Sequence, residues 1–247
     1  MSDFRSELYE RYVSTFKAAG AEDVAAASRA ALDDFLVWCD GCYGPLLDPL
    51  PRDTPILELG CGPGDMLEFL RLRGFSDVRG IDLSAEQVEI ARGRGLDAQV
   101  ADVFAFLASP AEQGRSRLIL AIDILEHFSK DELMRLAPAI RDALAPGGWL
   151  LAQTPNGEGL FPNQVIYGDL THLTVFTPDS MTQLLRLFGF EDFRFYETGP
   201  VARGWKGRLR AIAWRLIKGL LNAVRRIQTG KSQAVWTETL ICRCVRR

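Results

Sequence analysis

A doubly wound α/β fold is expected from three features of the chain. Ile56 to Leu59 is an apolar run that breaks into three alternate glycines, Gly60, Gly62 and Gly64, and resumes from Asp65 with helical spacing. Strand-length apolar runs then alternate with amphipathic helical ones, the pattern of parallel strands joined by right-handed crossovers. The first four of these runs each carry a carboxylate at or near their carboxyl end, Glu58, Asp82, Asp102 and Asp123. Open sheets of this kind bind ligands at the carboxyl ends of their strands.

Taken in order, residues 5 to 40 place Leu8, Tyr12 and Phe16, then Val24, Ala27, Ala31, Phe35 and Trp38, at helical intervals, which predicts two helices before the core. Residues 1–52 are expected to form an N-terminal helical lid and residues 53–247 the ligand-binding domain. The stretch from Gly41 to Asp53, with three prolines and two glycines, reads as a connector. After the glycine loop comes a helix over Asp65 to Leu72, closed by Gly74. Val78 to Asp82 is the second strand, and Ser84 suits the N-cap of a helix over Ala85 to Arg94. A short strand at about Ala98 to Val100 ends at Asp102. Leu118 to Ile122 is continuously apolar, as in a strand covered on both faces by helices. A helix from about Lys130 to Leu144 leads to a turn at Pro146, Gly147 and Gly148, then a strand over Trp149 to Thr154. Pro178 to Phe188 is helical and closed by Gly189, Phe193 and Phe195 alternate in a strand, residues 203–229 form a basic amphipathic helix, and Val235 to Val245 is the last strand.

A hydrophobic content of 47% over 247 residues suffices for a sizeable core. Five cysteines, an odd number, do not suggest a disulfide framework, so a reducing cytosol is expected. Cys39 and Cys42 have zinc-like spacing, but no second pair follows at ligand distance, and no metal site is assigned. The N-terminus lacks a signal-peptide pattern and no run reaches the ~20 apolar residues of a membrane span, so neither export nor integral insertion is expected. The net charge of −3 conceals a split. Residues 198 to 237 hold nine Lys or Arg and no acid, whereas residues 1 to 197 hold 17 basic and 31 acidic residues.

The glycine loop predicts a polar ligand over Gly60 to Gly64, because glycine permits positive φ and close backbone approach while the following helix offers free N–H groups. A dinucleotide fingerprint needs a third glycine three residues after Gly62, where Asp65 stands, so a nicotinamide cofactor is disfavoured. Glu58 before the turn, Gly-x-Gly-x-Gly through it, Asp82, Asp102, and Asp123-Ile124-Leu125-Glu126-His127 in order resemble the class I S-adenosylmethionine-dependent methyltransferases over roughly residues 53 to 198. The resemblance implies a Rossmann-like, mostly parallel sheet of seven strands with the last one antiparallel inside it.

It also implies roles. Asp82 suits the ribose hydroxyls, since one carboxylate accepts two hydrogen bonds, with Leu83 beside it. Asp102 and Val103 would flank the adenine, Glu58 and the N–H groups of Gly60, Cys61, Gly62 and Gly64 would face the methionine moiety, and Asp123 would close that side. Methyl transfer from a sulfonium is an in-line displacement, so the enzyme contributes alignment and, for a hydroxyl acceptor, proton removal. The base expected from the chain's two histidines is His172 or, failing that, His127.

The stretch Asp169-x-Thr171-His172-x-x-x-Phe176-Thr177, Thr154-Pro155-Asn156 and the basic helix together resemble methyltransferases of bacterial surface-polysaccharide biosynthesis. The implied activity is O-methylation of a sugar hydroxyl on a glycan, lipid-linked or a smaller precursor. A quinone or other small-metabolite acceptor, or a non-catalytic cofactor-binding scaffold at the membrane, are the alternatives. Trp205, Leu209, Ile212, Ala213, Leu216, Leu220, Val224 and Ile227 fall on one side of the basic helix, and Arg208, Arg215, Lys218, Arg225 and Arg226 on the other. Such a helix suits peripheral contact with the anionic inner face of the cell membrane, or packing on the sheet with a solvated basic rim. No nucleic-acid-reading motif is present, so a nucleic-acid partner is not expected.

Overall fold

The computed structural model describes residues 24–247. The first expected helix, around Leu8 to Phe16, lies outside the described residues. The second is α1 (Val24–Cys42), followed by the single turn α2 (Gly44–Leu47).

Among the described residues, β1 (Ile56–Leu59), β2 (Val78–Asp82), β3 (Ala98–Val100), β4 (Ser116–Ile122), β5 (Leu144–Pro155), β6 (Phe190–Glu197) and β7 (Thr239–Arg246) form one sheet in the order β3-β2-β1-β4-β5-β7-β6. Every neighbouring pair from β3 to β5 is parallel, whereas β7 is antiparallel to both β5 and β6. The strand order reverses between β1 and β4. That switch point opens a cleft at the carboxyl ends of the strands.

The helices are α3 (Asp65–Leu72), α4 (Ala85–Gly93), α5 (Val103–Leu107), α6 (Lys130–Ala143), α7 (Asn163–Tyr167), α8 (Pro178–Leu187) and α9 (Gly204–Thr229). Their starts follow local chemistry. The Ser84 hydroxyl accepts from the Gln87 N–H at 3.4 Å, Ser129 with Glu132 and Thr177 with Ser180 close reciprocal capping boxes at α6 and α8, and each occupies a donor the first turn leaves unsatisfied.

The central strands are largely apolar because both faces are covered. Leu57, Ile119 and Leu150 pack with Leu133, Leu136, Ile140, Met181 and Leu185 of α6 and α8. Their neighbours Ile56, Leu118 and Leu151 point the other way, against Cys39, Tyr43, Met66, Phe69 and Leu70 from the α1 to α3 layer. Cys39 and Tyr43, from the segment expected to form a lid, are therefore buried in the core, while Phe35 of α1 reaches the cleft.

Several boundaries differ from expectation. The turn at Pro146 to Gly148 lies within β5, where Gly147 has φ +71° and the ladder with β4 shifts register between Ser116 and Leu118. The last strand begins at Thr239 instead of Val235. The five-residue α5 was not expected. It is capped by Asp102, whose Oδ1 accepts from the Ala105 N–H at 2.9 Å.

Candidate functional site

A cleft of about 820 Å³ opens over β1, β2 and β4. At one end lies the glycine turn. Gly60, Gly62 and Gly64 have φ of +70°, +51° and +86°, a conformation that side chains with a Cβ disfavour. The Gly62 N–H donates to Asp82 Oδ2 and the Ser84 N–H to Asp82 Oδ1, both at 2.8 Å. Backbone donors thus hold the Asp82 carboxylate from two sides, and each oxygen keeps a lone pair for the cleft. Glu58 is almost fully buried under the turn. Burial, with Asp65 and Asp82 adding like charge, pushes its carboxyl well above the usual range, and its Oε2 has no hydrogen-bond partner among the described residues.

Cys61, Leu83, Asp102 and Val103 line the same cleft with Gly60, Gly62 and Asp82. Gly64 does not line it. A Cβ there would stand 2.6 Å from Leu96 Cδ1 and 3.0 Å from Ala91 Cβ, so Gly64 sets the left-handed entry into α3 against α4.

Asp123 follows β4 directly and lines the cleft with φ +49°, a sparsely populated conformation for a residue with a Cβ. Its Oδ2 accepts from Gln153 Nε2 at 2.8 Å, and Gln153 Oε1 accepts from the Tyr43 hydroxyl at 2.6 Å. Neither Tyr43 nor Gln153 was singled out in the sequence. A carboxamide at the end of the apolar run Trp149 to Ala152 was the available signal for Gln153.

The other end of the cleft is built by two segments that meet through the backbone. The carbonyl of Glu126, in the single helical turn Leu125–His127 after β4, accepts from the N–H groups of Leu173 and Thr174 at 2.8 and 3.0 Å. That pairing brings His172 beside His127, with ring centroids 4.8 Å apart and planes at 66°. The two histidines expected as alternative bases therefore share one site. His127 Nδ1 lies 2.8 Å from the Thr171 hydroxyl, which donates to Asp169 Oδ1 at 2.6 Å. Burial, then the neighbouring His172 imidazole, pushes His127 down to about 4 despite Asp169 and nearby backbone groups, so its ring is neutral. His172 Nδ1 lies 3.0 Å from the carbonyl of Ile166, and its Nε2 is 3.9 Å from Glu126 Oε1. Burial, followed by Asp123 and Asp169, holds the Glu126 carboxyl well above its ordinary value.

The basic helix α9 has none of its residues buried. The side turned to the protein is polar: Trp214 Nε1 and Lys218 Nζ donate to Glu197 Oε2 at 3.1 and 2.8 Å, and Asn222 exchanges two hydrogen bonds with the Gln233 backbone. Lys218, expected on a solvated face, is thus an ion-pair partner of the body. Trp205, Leu209, Ile212, Leu216, Leu220, Val224 and Ile227 are all exposed, on the side opposite that docking face. No helix among the described residues is long and apolar enough to cross a membrane, and no disulfide forms among them, all five cysteines being free.

A family profile described as a methyltransferase domain matches residues 36–193. Over 113 residues the chain is 37% identical to the trans-aconitate 2-methyltransferase of Paracidovorax citrulli, covering 44% of this chain and 42% of that protein. Over 108 residues it is 32% identical to a ubiquinone biosynthesis O-methyltransferase of Bordetella avium, covering 41% and 42%. The chain thus spans about two fifths of the length of these curated relatives. Among solved structures, it is similar to a SAM-dependent methyltransferase from Archaeoglobus fulgidus, with a TM-score of 0.60 at 16% identity over 98% of this chain and 99% of that one. It is also similar to phosphoethanolamine N-methyltransferase 2 of Haemonchus contortus in complex with S-adenosyl-L-methionine, with a TM-score of 0.55 at 17% identity over 81% and 51%. At such identities the likeness is one of fold.

Proposed function

The chain belongs to the methyltransferase-domain family, and on that premise we propose that it is an S-adenosylmethionine-dependent O-methyltransferase. The observation that carries this is a single cleft joining a carboxylate-lined glycine turn to a pair of imidazoles. The residues fit the cofactor. Asp82, fixed by two N–H donors, has one outward lone pair per oxygen for two ribose hydroxyls, and the unpartnered Glu58 Oε2 suits the cationic methionine end. Asp102 and Val103 flank the adenine and Asp123 closes the methionine side. When bound, the cofactor supplies an electrophilic methyl group on a sulfonium. The chain's own part is to align an acceptor oxygen and remove its proton at the cluster of Glu126, His127 and His172.

For the acceptor we propose a sugar hydroxyl of a surface glycan or its precursor. A small-metabolite acceptor is the second reading, favoured by the trans-aconitate and ubiquinone O-methyltransferase relatives. The test is to measure S-adenosylhomocysteine release with lipid-linked and nucleotide-linked sugars, a quinol precursor, and a tricarboxylate. Methylation of a sugar hydroxyl is the expected result. Turnover only with the quinol or tricarboxylate selects the second reading, and cofactor binding without turnover on any acceptor overturns catalysis in favour of a scaffold.

Membrane contact through α9 belongs to the same proposal. The outward apolar stripe is bordered by Arg208, Arg215 and Arg226 on one side and Lys206 and Arg210 on the other, as their spacing of 100° per residue requires. Each cation near an anionic surface contributes about 1 kcal/mol, and burial of the tryptophan and leucine stripe adds to it. Wild-type protein is expected to sediment with anionic vesicles more than with neutral ones, and less at high salt. A variant with Arg208→Glu, Arg215→Glu, Leu216→Glu and Leu220→Glu is expected to stay in the supernatant. Equal sedimentation of the two, or none by either, would assign the stripe to a partner subunit.

A further inference from the structure

We propose that Glu126, His127 and His172 form a binding site for a first-row divalent transition-metal ion at the acceptor end of the cleft. The sequence assigned no metal, because two of the three residues are adjacent and the third is 45 positions away. The fold brings one ligand atom from each within 4.8 Å of the others.

Glu126 is the first argument. The residue is 1% exposed, and neither side-chain oxygen has another residue as hydrogen-bond partner among the described residues. A carboxylate removed from water with nothing to replace its hydration is costly, and buried carboxylates are normally paired or coordinate a metal. Its own backbone N–H offers the carboxyl partial relief, but Asp123 and Asp169 add negative charge beside it.

The histidines supply the second. A carbonyl oxygen only accepts, so His172 Nδ1 carries the proton that it donates to Ile166, and its Nε2 offers a lone pair. That Nε2 faces Glu126 Oε1 across 3.9 Å, too far for a hydrogen bond and about half an ångström wider than two tetrahedral ligands of an ion at about 2.0–2.2 Å, so that small side-chain rotations would close the three groups around it. At His127 the Thr171 hydroxyl spends its hydrogen on Asp169, so its oxygen accepts from Nδ1–H. Both rings are therefore oriented by an outer acceptor on Nδ1, one a backbone carbonyl and the other a hydroxyl backed by a carboxylate, which is how metal-bound imidazoles are commonly fixed. The rings are tilted at 66° instead of stacked, so their nitrogens can converge.

Two imidazoles and one carboxylate suit zinc, iron, manganese or cobalt better than the oxygen-seeking magnesium or calcium. Three protein ligands leave positions open towards the cleft. This part rests on the O-methyltransferase reading: the open position takes the acceptor's hydroxyl oxygen, and an acceptor with two adjacent hydroxyls would chelate. A bound cation would also lower that hydroxyl's affinity for its proton.

The test is calorimetry on chelator-treated protein with Zn²⁺, Co²⁺ and Mg²⁺, together with the visible spectrum of the Co²⁺ form. One Zn²⁺ or Co²⁺ per chain is expected, with much weaker Mg²⁺ and the intense bands of four- or five-coordinate cobalt. Glu126→Gln and His172→Gln should abolish binding, and Thr171→Val should weaken it by about 10- to 100-fold. Absence of Zn²⁺ and Co²⁺ binding, undiminished binding in Glu126→Gln and His172→Gln, or a spectrum of six-coordinate aqueous cobalt would each overturn the site. The cobalt spectrum of the wild type decides the matter if a variant does not fold. S-adenosylmethionine affinity is measured alongside. Cofactor binding without metal binding sinks this inference alone, and metal binding without cofactor binding sinks the methyltransferase reading alone.

Discussion

Asp82→Ala is expected to weaken both S-adenosylmethionine and S-adenosylhomocysteine by at least about 100- to 10,000-fold in calorimetry. Two hydrogen bonds from ribose hydroxyls to one ionised carboxylate contribute about 1.5–3 kcal/mol each, and every 1.4 kcal/mol is tenfold in affinity. The loss should exceed that of the ribose contacts alone. The same carboxylate accepts from the Gly62 and Ser84 N–H groups, so the glycine turn loses its anchor to β2 together with the ligand contact. Asp82→Asn is expected to fall between wild type and alanine, since one of its two terminal atoms can no longer accept. Unchanged affinity in Asp82→Ala would remove the ribose assignment.

His172→Ala is expected to lower turnover by about 10²- to 10⁴-fold, the usual contribution of a positioned base or, with Nε2 on the inferred metal ion, of the cation that weakens the hydroxyl's hold on its proton. Cofactor affinity should hold within about threefold, because Asp82 and Glu58 lie at the other end of the cleft. His127→Ala should act in the same direction, as the two rings are in contact. The measurement is single-turnover methyl transfer with saturating cofactor, which isolates the chemical step from release of product. Full activity in both single variants would mean that the acceptor is already acidic or reacts by alignment alone.

The cofactor side of the molecule was legible in the sequence for a physical reason. The signals were local: an apolar run, three glycines that need positive φ, and a carboxylate at the next strand end lie within 27 residues, and the structure brings them together as the spacing implied. Asp102 was legible only as a strand-end residue, and its cap on α5 went unseen because five apolar residues carry no helical period. Tyr43, Gln153 and Asp123 form a chain across 110 residues of sequence, and no local pattern announces a pairing that long. The same holds for Glu126 and His172. For α9 the amphipathic pattern was visible but its orientation was not. Which face docks was decided by Glu197 and Gln233, polar partners that the helix's own sequence does not contain.

The placement of β7 between β5 and β6 sets an order of assembly. Strands β1, β2 and β3 pair in sequence order, Ile56 with Val78 and Gly80 with Ala98, so the glycine turn and Asp82 can come together early, through short connections that cost little entropy to close. The segment that follows β5 has no such local route. Asn156 hydrogen-bonds to the carbonyls of Val235 and Thr237, the Leu160 N–H donates to Trp236, and Gln233 Nε2 donates to Glu158. Residues 156 to 160 are thus tied to the segment that immediately precedes β7, and β6 has no place in the sheet until β7 is in register. On a chain emerging from a ribosome, the glycine turn and its anchor at Asp82 would be in place while β6 and the segment after β5 still await the last strand.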